Sequence, residues 1–345
     1  SSFMSYKAAR NYTPNEGSPG ELNFIDDVDT RQVLFFVNGD LVLPNHWTFT
    51  IGLSGQQLRY QVDRTFDVEG SPGLLNSSFS WVIAPRISVA KKWFTGEVQY
   101  AASAAYGRAY SPPTLSEFRT NEGSVNTDLE PAQGNSYEIG FRRQSPTGFN
   151  VDLNVYVQRL GQSITAFQDA SGVQLFRNAG GNNQFGVELA ISRELLPTRK
   201  FAEHFINRLL VRVAYTLQNG TYRDYRPNDD DFSGQDLPGL TPHIFDVQLT
   251  LETKQNHYLR LGLHTSAETP LEDKNEIFSD AFAILRLRLG QQFAWGNRSI
   301  DAYLGADNLL DQQYSLGYDL NPQFGRRYFQ PARGRYLYIG AKVTL

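Results

Sequence analysis

The 345-residue chain has no cysteine, which removes disulfides, thiol nucleophiles and thiolate metal sites together. It also lacks any apolar run approaching the roughly 18 residues that a membrane-spanning helix needs, and its mean hydropathy is −0.42. Positive charge is not in excess: 32 Lys and Arg against 36 Asp and Glu leave a net −4, so there is no electrostatic footprint for nucleic acid. No secretory signal is read at Ser1, and the chain is expected to be a mature protein or a fragment of one. The five histidines lie apart (His46, His204, His243, His257 and His264). No Ser-His-Asp cluster is therefore available, and neither enzyme chemistry nor a cofactor is expected.

What the sequence does have is alternation. Leu337, Ile339, Ala341, Val343 and Leu345 alternate with Tyr336, Tyr338, Gly340, Lys342 and Thr344 up to the last residue. A strand has a side-chain period of two, so this segment has one apolar and one polar face. The same rule predicts strands near 31–43, 46–60, 79–92, 95–107, 134–144, 147–165, 183–194, 207–219, 243–254, 257–267, 280–293, 298–309 and 335–345. No helix intervenes. Connections are short at Pro44-Asn45, Lys91 to Phe94, Ser145 to Gly148, Gln255-Asn256 and Ala294 to Asn297, with Leu195 to Ile206 somewhat longer. They are long at 61–78, 108–133, 166–182, 220–242, 268–279 and 310–334.

Amphipathic strands also build soluble sandwiches. Short turns sorted to one rim and long loops to the other favour a transmembrane antiparallel β-barrel, with apolar residues facing lipid and the short turns periplasmic. Charges inside the strands then face the lumen. Residues 2–8 read as the top of a further strand, so the chain is expected to supply about 13–14 C-terminal strands of a larger barrel.

Several strings carry a resemblance. Ser111-Pro-Pro-Thr-Leu-Ser-Glu117, Asn126 through Arg142, Phe176-Arg-Asn-Ala-Gly180 with Gly186-Val-Glu-Leu189, Gly305 through Tyr314 and Pro331 through Arg335 occur in this order. The set resembles the barrel of TonB-dependent outer-membrane receptors over roughly residues 30–345. The resemblance implies a 22-stranded barrel in the outer membrane of a Gram-negative bacterium, filled by an N-terminal plug domain that is absent from this chain. It implies active uptake of a scarce nutrient, foremost a ferric siderophore or other iron(III) chelate, energised by TonB and its inner-membrane motor. The alternatives are a passive channel for small or hydrophobic solutes, or a receptor of the same family for oligosaccharide, cobalamin or haem. The implied partners are the missing plug and first strands, outer-membrane lipid and lipopolysaccharide, and a small-molecule metal chelate. Leu345 departs from the aromatic residue with which the family usually ends.

Two groups of site residues follow. In the long loops, Arg108, Tyr110, Arg119, Tyr314, Tyr318, Arg326, Arg327 and Tyr328 combine guanidinium groups with aromatic rings. That pairing suits an anionic chelate with an apolar body. On the lumen face, Asp152, Glu188, Arg212, Asp246, Arg260, Arg286, Arg288 and Asp301 follow a sign pattern by strand; adjacent strands of opposite sign are expected to pair along the wall, and the set to face a polar plug. The acidic stretch around Asp229, Asp230 and Asp231 fits no calcium loop spacing and reads as solvated.

Overall fold

The computed structural model describes the chain except residues 1, 16–17, 69, 71, 121–122, 124, 147, 169–173, 179, 197–204, 227–229, 297, 323–326 and 345. Its centre is one antiparallel sheet in which fourteen strands follow one another in chain order. They are β1 (Ser2–Asn15), β2 (Ser18–Leu43), β3 (Trp47–Asp67), β4 (Val82–Thr95), β5 (Val98–Ser111), β6 (Ala132–Gln144) and β7 (Phe149–Gly161), then β8 (Gly181–Leu196), β9 (Ile206–Arg223), β10 (His243–Thr253), β11 (His257–Ser266), β12 (Phe282–Trp295), β13 (Arg298–Asp307) and β14 (Tyr336–Thr344). A short strand, Gly73–Ser78, pairs beside the upper half of β3. Among the described residues β1 and β14 are not paired with one another, so the sheet has two edges.

The register turns the alternation of each strand into continuous rows. One row runs Val89, Ala104, Ile139, Val155, Val187, Leu217. A row on the opposite face runs Arg142, Asp152, Ala190, Ala214, Asp246, His264. A one-residue slip anywhere would put charges among the apolar side chains, which is why the register is so regular. Large apolar side chains stay exposed on the first face, Ile139 at 65% and Ile339 at 87%, as expected where lipid is the solvent. Aromatic rings border this band. Trp93, Tyr100 and Phe141 meet near the short turns, and Tyr106 meets Tyr137 near the long loops, the two interfacial levels where amphipathic rings settle.

Three boundaries differ from expectation. β2 begins at Ser18 and β3 continues to Asp67, so much of what reads as loop before 31 and after 60 is a hairpin rising above the apolar band. There the outer face carries Asp27, Asp29 and Arg31 opposite Asp63, Gln61 and Arg59. Water, not lipid, lies outside it, so the apolar signal on that face disappears. Residues 91–94 belong to β4, whose turn falls at Gly96 with φ +59°; two adjacent lysines mimic a turn there. A hairpin of Ile164–Gln168 with Gln174–Asn178 occupies part of the 166–182 loop.

Candidate functional site

Charges on the lumen face pair across strands, though not always with the expected partners. Arg142 Nε meets Asp152 at 2.8 Å, and His264 Nδ1 meets Asp246 at 2.9 Å. Arg286 meets Asp307 at 3.0 Å, and Arg288 meets Asp301 at 3.3 Å. Tyr258 donates to Asp301 at 2.8 Å, and the Arg288 guanidinium lies 3.5 Å from the centroid of the Tyr303 ring. Lower down, Arg208 bridges Glu194 and Glu252. Each partner here lies one strand away, or two when a long side chain spans the intervening strand. Among the described residues no acidic partner is found for Arg212 or Arg260, and none basic for Glu188. Arg212 reaches only the amide oxygen of Gln248, at 3.5 Å, and Arg260 lies over the Tyr258 ring. Arg142, Asp152, Arg212, Asp246, Arg260 and Arg288 line a hollow of about 660 Å³ on the wall.

Above the β2–β3 hairpin the loop between β5 and β6 folds inward. Val28, Leu58, Tyr60 and Val62 share the lumen face and form an apolar cluster with Phe79 and Phe118. Phe118 ends a four-residue helix, Leu115–Phe118, closed by a capping box between Thr114 and Glu117. Tyr60 stacks on Phe118 and donates to the Pro113 carbonyl at 2.9 Å. Burial, aided by the charge of Glu117, pushes its hydroxyl up to about 12. Beside this cluster Asp26 is fully buried and receives Arg64 Nε at 2.8 Å and Arg119 Nε at 2.7 Å. Arg64 also donates to the Gly123 carbonyl and, like Arg119, lies over Phe24. Burial alone would raise the Asp26 carboxyl, but hydrogen bonds and charge from the two arginines outweigh it and hold the group below the ordinary carboxylate value.

Further along the same rim three loops are knitted together around residues 268–279. Asp273 accepts from Tyr222 at 2.7 Å, from Tyr225 at 3.3 Å and from the Asn321 amide at 3.1 Å. Asn275 exchanges hydrogen bonds with the backbone of Asp236, and Tyr328 donates to Glu272 at 2.9 Å. Leu271 is wholly buried at the junction. Next to this knot Phe282, Tyr314, Tyr318 and Phe329 line a second hollow with Asp280 and Gln312. Phe282 continues a ring contact from His264, at 5.9 Å, to Tyr314, at 5.2 Å.

The loop residues singled out for ligand contact therefore separate. Tyr314 and Tyr318 line the aromatic hollow, and Arg327 is exposed. Arg326 lies outside the described residues. Tyr110 donates to Gln56 at 2.6 Å. Three others are engaged or placed elsewhere. Arg119 is spent on buried Asp26, Tyr328 is buried at 5% exposure, and Arg108 shares the outer face with Tyr106 and Tyr137, one row above them. Cross-strand partners and loop folding, invisible in a linear string, decide all three. The lumen residues Asp152, Glu188, Arg212, Asp246, Arg260, Arg286, Arg288 and Asp301 share one face by register. Sequence reading missed Asp26 and Asp273. The capping-box spacing Thr114 to Glu117 was a usable signal for the folded loop beside Asp26; Asp273 had none. Among the described residues no group of acidic or histidine side chains could hold a metal ion.

The family model described as "TonB dependent receptor-like, beta-barrel" matches residues 1–309. Solved structures are similar over nearly the whole chain at low identity. The unliganded ferric citrate transporter FecA has a TM-score of 0.72 at 15% identity, covering 96% of this chain and 47% of that one. The ferric-catecholate import receptor Fiu of E. coli K12 has 0.67 at 16%, covering 99% and 50%, and the copper transporter OprC has 0.67 at 16%, covering 97% and 51%. The chain thus spans about half the length of the structures it matches.

Proposed function

The chain belongs to the TonB-dependent receptor β-barrel family, and from that premise we propose that it is the wall and mouth of a receptor that takes up an iron(III) chelate through TonB. The family comprises transport receptors rather than enzymes, and its barrels lie in the outer membrane of Gram-negative bacteria. The observation that carries the reading is the aromatic hollow at the mouth, where Phe282, Tyr314, Tyr318 and Phe329 are held by loops tied to one another through Asp273. Rings on a rigid support suit the apolar body of a chelate, and Arg327 adds a cation at the same loop. The names of FecA and Fiu, both ferric-chelate importers, support the same cargo.

The free Glu188, Arg212 and Arg260 on the wall are assigned to docking a polar plug, with further strands joining the edges at β1 and β14. All three are exposed on the wall, and a surface that covered them would have to supply opposite charge, since a buried unpaired charge is costly.

The test is uptake of radiolabelled ferric chelates by cells producing the full-length receptor, with and without TonB. Saturable uptake that needs both is expected. Uptake that continues without TonB would instead mean a passive channel, and saturable binding of copper without any ferric chelate would change the cargo.

A further inference from the structure

Arg108 lies outside the wall, and the register shows what accompanies it there. Arg108 stands opposite Asn135, Asn135 opposite Arg159, and Arg159 opposite Asn183. This row is the next one above Tyr106, Tyr137, Val157 and Phe185, the upper border of the apolar band. Neighbouring strands are about 4.8 Å apart, so the two arginines leave the sheet roughly 10 Å from each other with the amide between them.

Each group has donors to spare. Arg159 is exposed, with no ion pair among the described residues. Arg108 is exposed too, and one of its nitrogens is engaged, by the Gln133 amide oxygen. The Asn135 oxygen accepts from the Tyr106 hydroxyl at 2.9 Å, which turns the amide nitrogen outward as a donor. No carboxylate stands in this row or the next: the row above holds Tyr110, Gln133 and Gly161, and Glu138 belongs to the lumen face. Asp128 and Glu130 line a hollow with Arg108 in the loop above, and among the described residues neither forms an ion pair with Arg108 or Arg159. Two guanidinium groups flanking an amide form a fork of donors matched to a tetrahedral, multiply charged anion. Directly beneath it Tyr137 is 52% exposed and Ile139 65%.

The geometry points to a binding site for the phosphorylated headgroup of an outer-leaflet lipid at Arg108, Asn135 and Arg159. The phosphate is held by the two arginines and the amide, at the level where headgroups meet the aromatic border. The acyl chains run down over Tyr137 and Ile139. This site rests on the outer-membrane placement alone, so failure of chelate uptake would leave it standing.

The full-length receptor in detergent is offered lipid A, dephosphorylated lipid A and inorganic phosphate, with retained lipid read by native mass spectrometry. The wild-type protein is expected to retain lipid A about tenfold better than its dephosphorylated form, as fits charge-assisted contacts. The R108Q/R159Q variant should lose that preference, its assembly being checked by heat-modifiable migration. Equal retention of the two lipids by the wild type would overturn the site without recourse to any variant. So would an unchanged preference in R108Q/R159Q. Displacement of lipid A by millimolar inorganic phosphate would reduce it to a small-anion site and overturn the lipid assignment.

Discussion

The Tyr222 hydroxyl donates to Asp273 at 2.7 Å across 51 residues of chain, and through it the top of β9 is tied to the loop after β11. Burial, then the charge of Asp273, pushes this hydroxyl far above the ordinary tyrosine value, so it stays a donor at any pH the barrel meets. The same carboxylate holds Tyr225 and Asn321, which makes Asp273 the point where three loops converge.

Replacing Asp273 by Ala removes an acceptor from three donors. Leaving the half-buried Tyr222 hydroxyl unpaired costs about 1–3 kcal/mol, and the loss should be local because the strands below keep their ladders. Hydrogen exchange should quicken in 231–240 and 315–322, with heat-modifiable migration of the barrel unchanged. Unchanged exchange in both segments would show that backbone contacts such as Gly239 to Pro270 suffice.

Asp26 gives the opposite kind of prediction, since its loss removes the carboxylate from Arg119 and leaves Arg64 only that of Asp67, at 3.3 Å. Breaking a buried pair from one side costs about 3–5 kcal/mol, so Asp26→Asn should release the loop carrying Phe118 and expose it to protease. The pH dependence follows from the depressed carboxyl. Its contribution is fully present above the unfolded value near 3.8 and is lost as pH falls through the lower, folded value. Loop cleavage should therefore stay flat from neutrality to about pH 4 and rise only below it; a rise near pH 6 would point to another group.

Much of this was legible beforehand for a physical reason. Where lipid bounds one face and the lumen the other, as along Phe185 to Ser192, a period of two is imposed on every residue, and the strands can be read from it. Above the band that constraint ends. Asp26, Asp27 and Asp29 look like loop because nothing outside β2 is apolar there. The fate of Arg119 and Tyr328 was illegible because their partners, Asp26 and Glu272, lie 93 and 56 residues away. Each residue has the chemistry of a ligand contact, and only the folded loop shows it engaged.

One lumen row reads Tyr258, Gly290, Tyr303, Gly340 across β11 to β14. A Cβ on Gly290 would come within 2.4 Å of the Tyr258 ring, and one on Gly340 within 2.4 Å of the Tyr303 ring. Tyr338 covers Gly305 in the same manner from β14. Each ring shields a glycine that packs nothing itself, which ties the last strands into register. Gly340→Val should displace Tyr303 and cost about 1–3 kcal/mol of overpacking. The measurable result is a lower fraction of heat-modifiable barrel, recovered in part by Tyr303→Ala in the same chain. Failure of that second change to restore any barrel would mean that Gly340 matters for its backbone and not for the ring above it.

The aromatic hollow separates contact from support. Tyr314 and Tyr318 present rings to it, whereas Tyr328 is buried with its hydroxyl on Glu272. If the hollow receives the chelate, Tyr314→Ala with Tyr318→Ala removes stacking area worth about 1–3 kcal/mol, a roughly 5- to 150-fold rise in Kd. Loop exchange rates should change little. Tyr328→Phe keeps the ring and loses the hydroxyl with its bond to Glu272, so it should quicken exchange around 268–279 while Kd moves by less than about fivefold. A titration in which Tyr328→Phe weakens binding more than the Tyr314 and Tyr318 pair would move the contact surface from the hollow to the knot beside it.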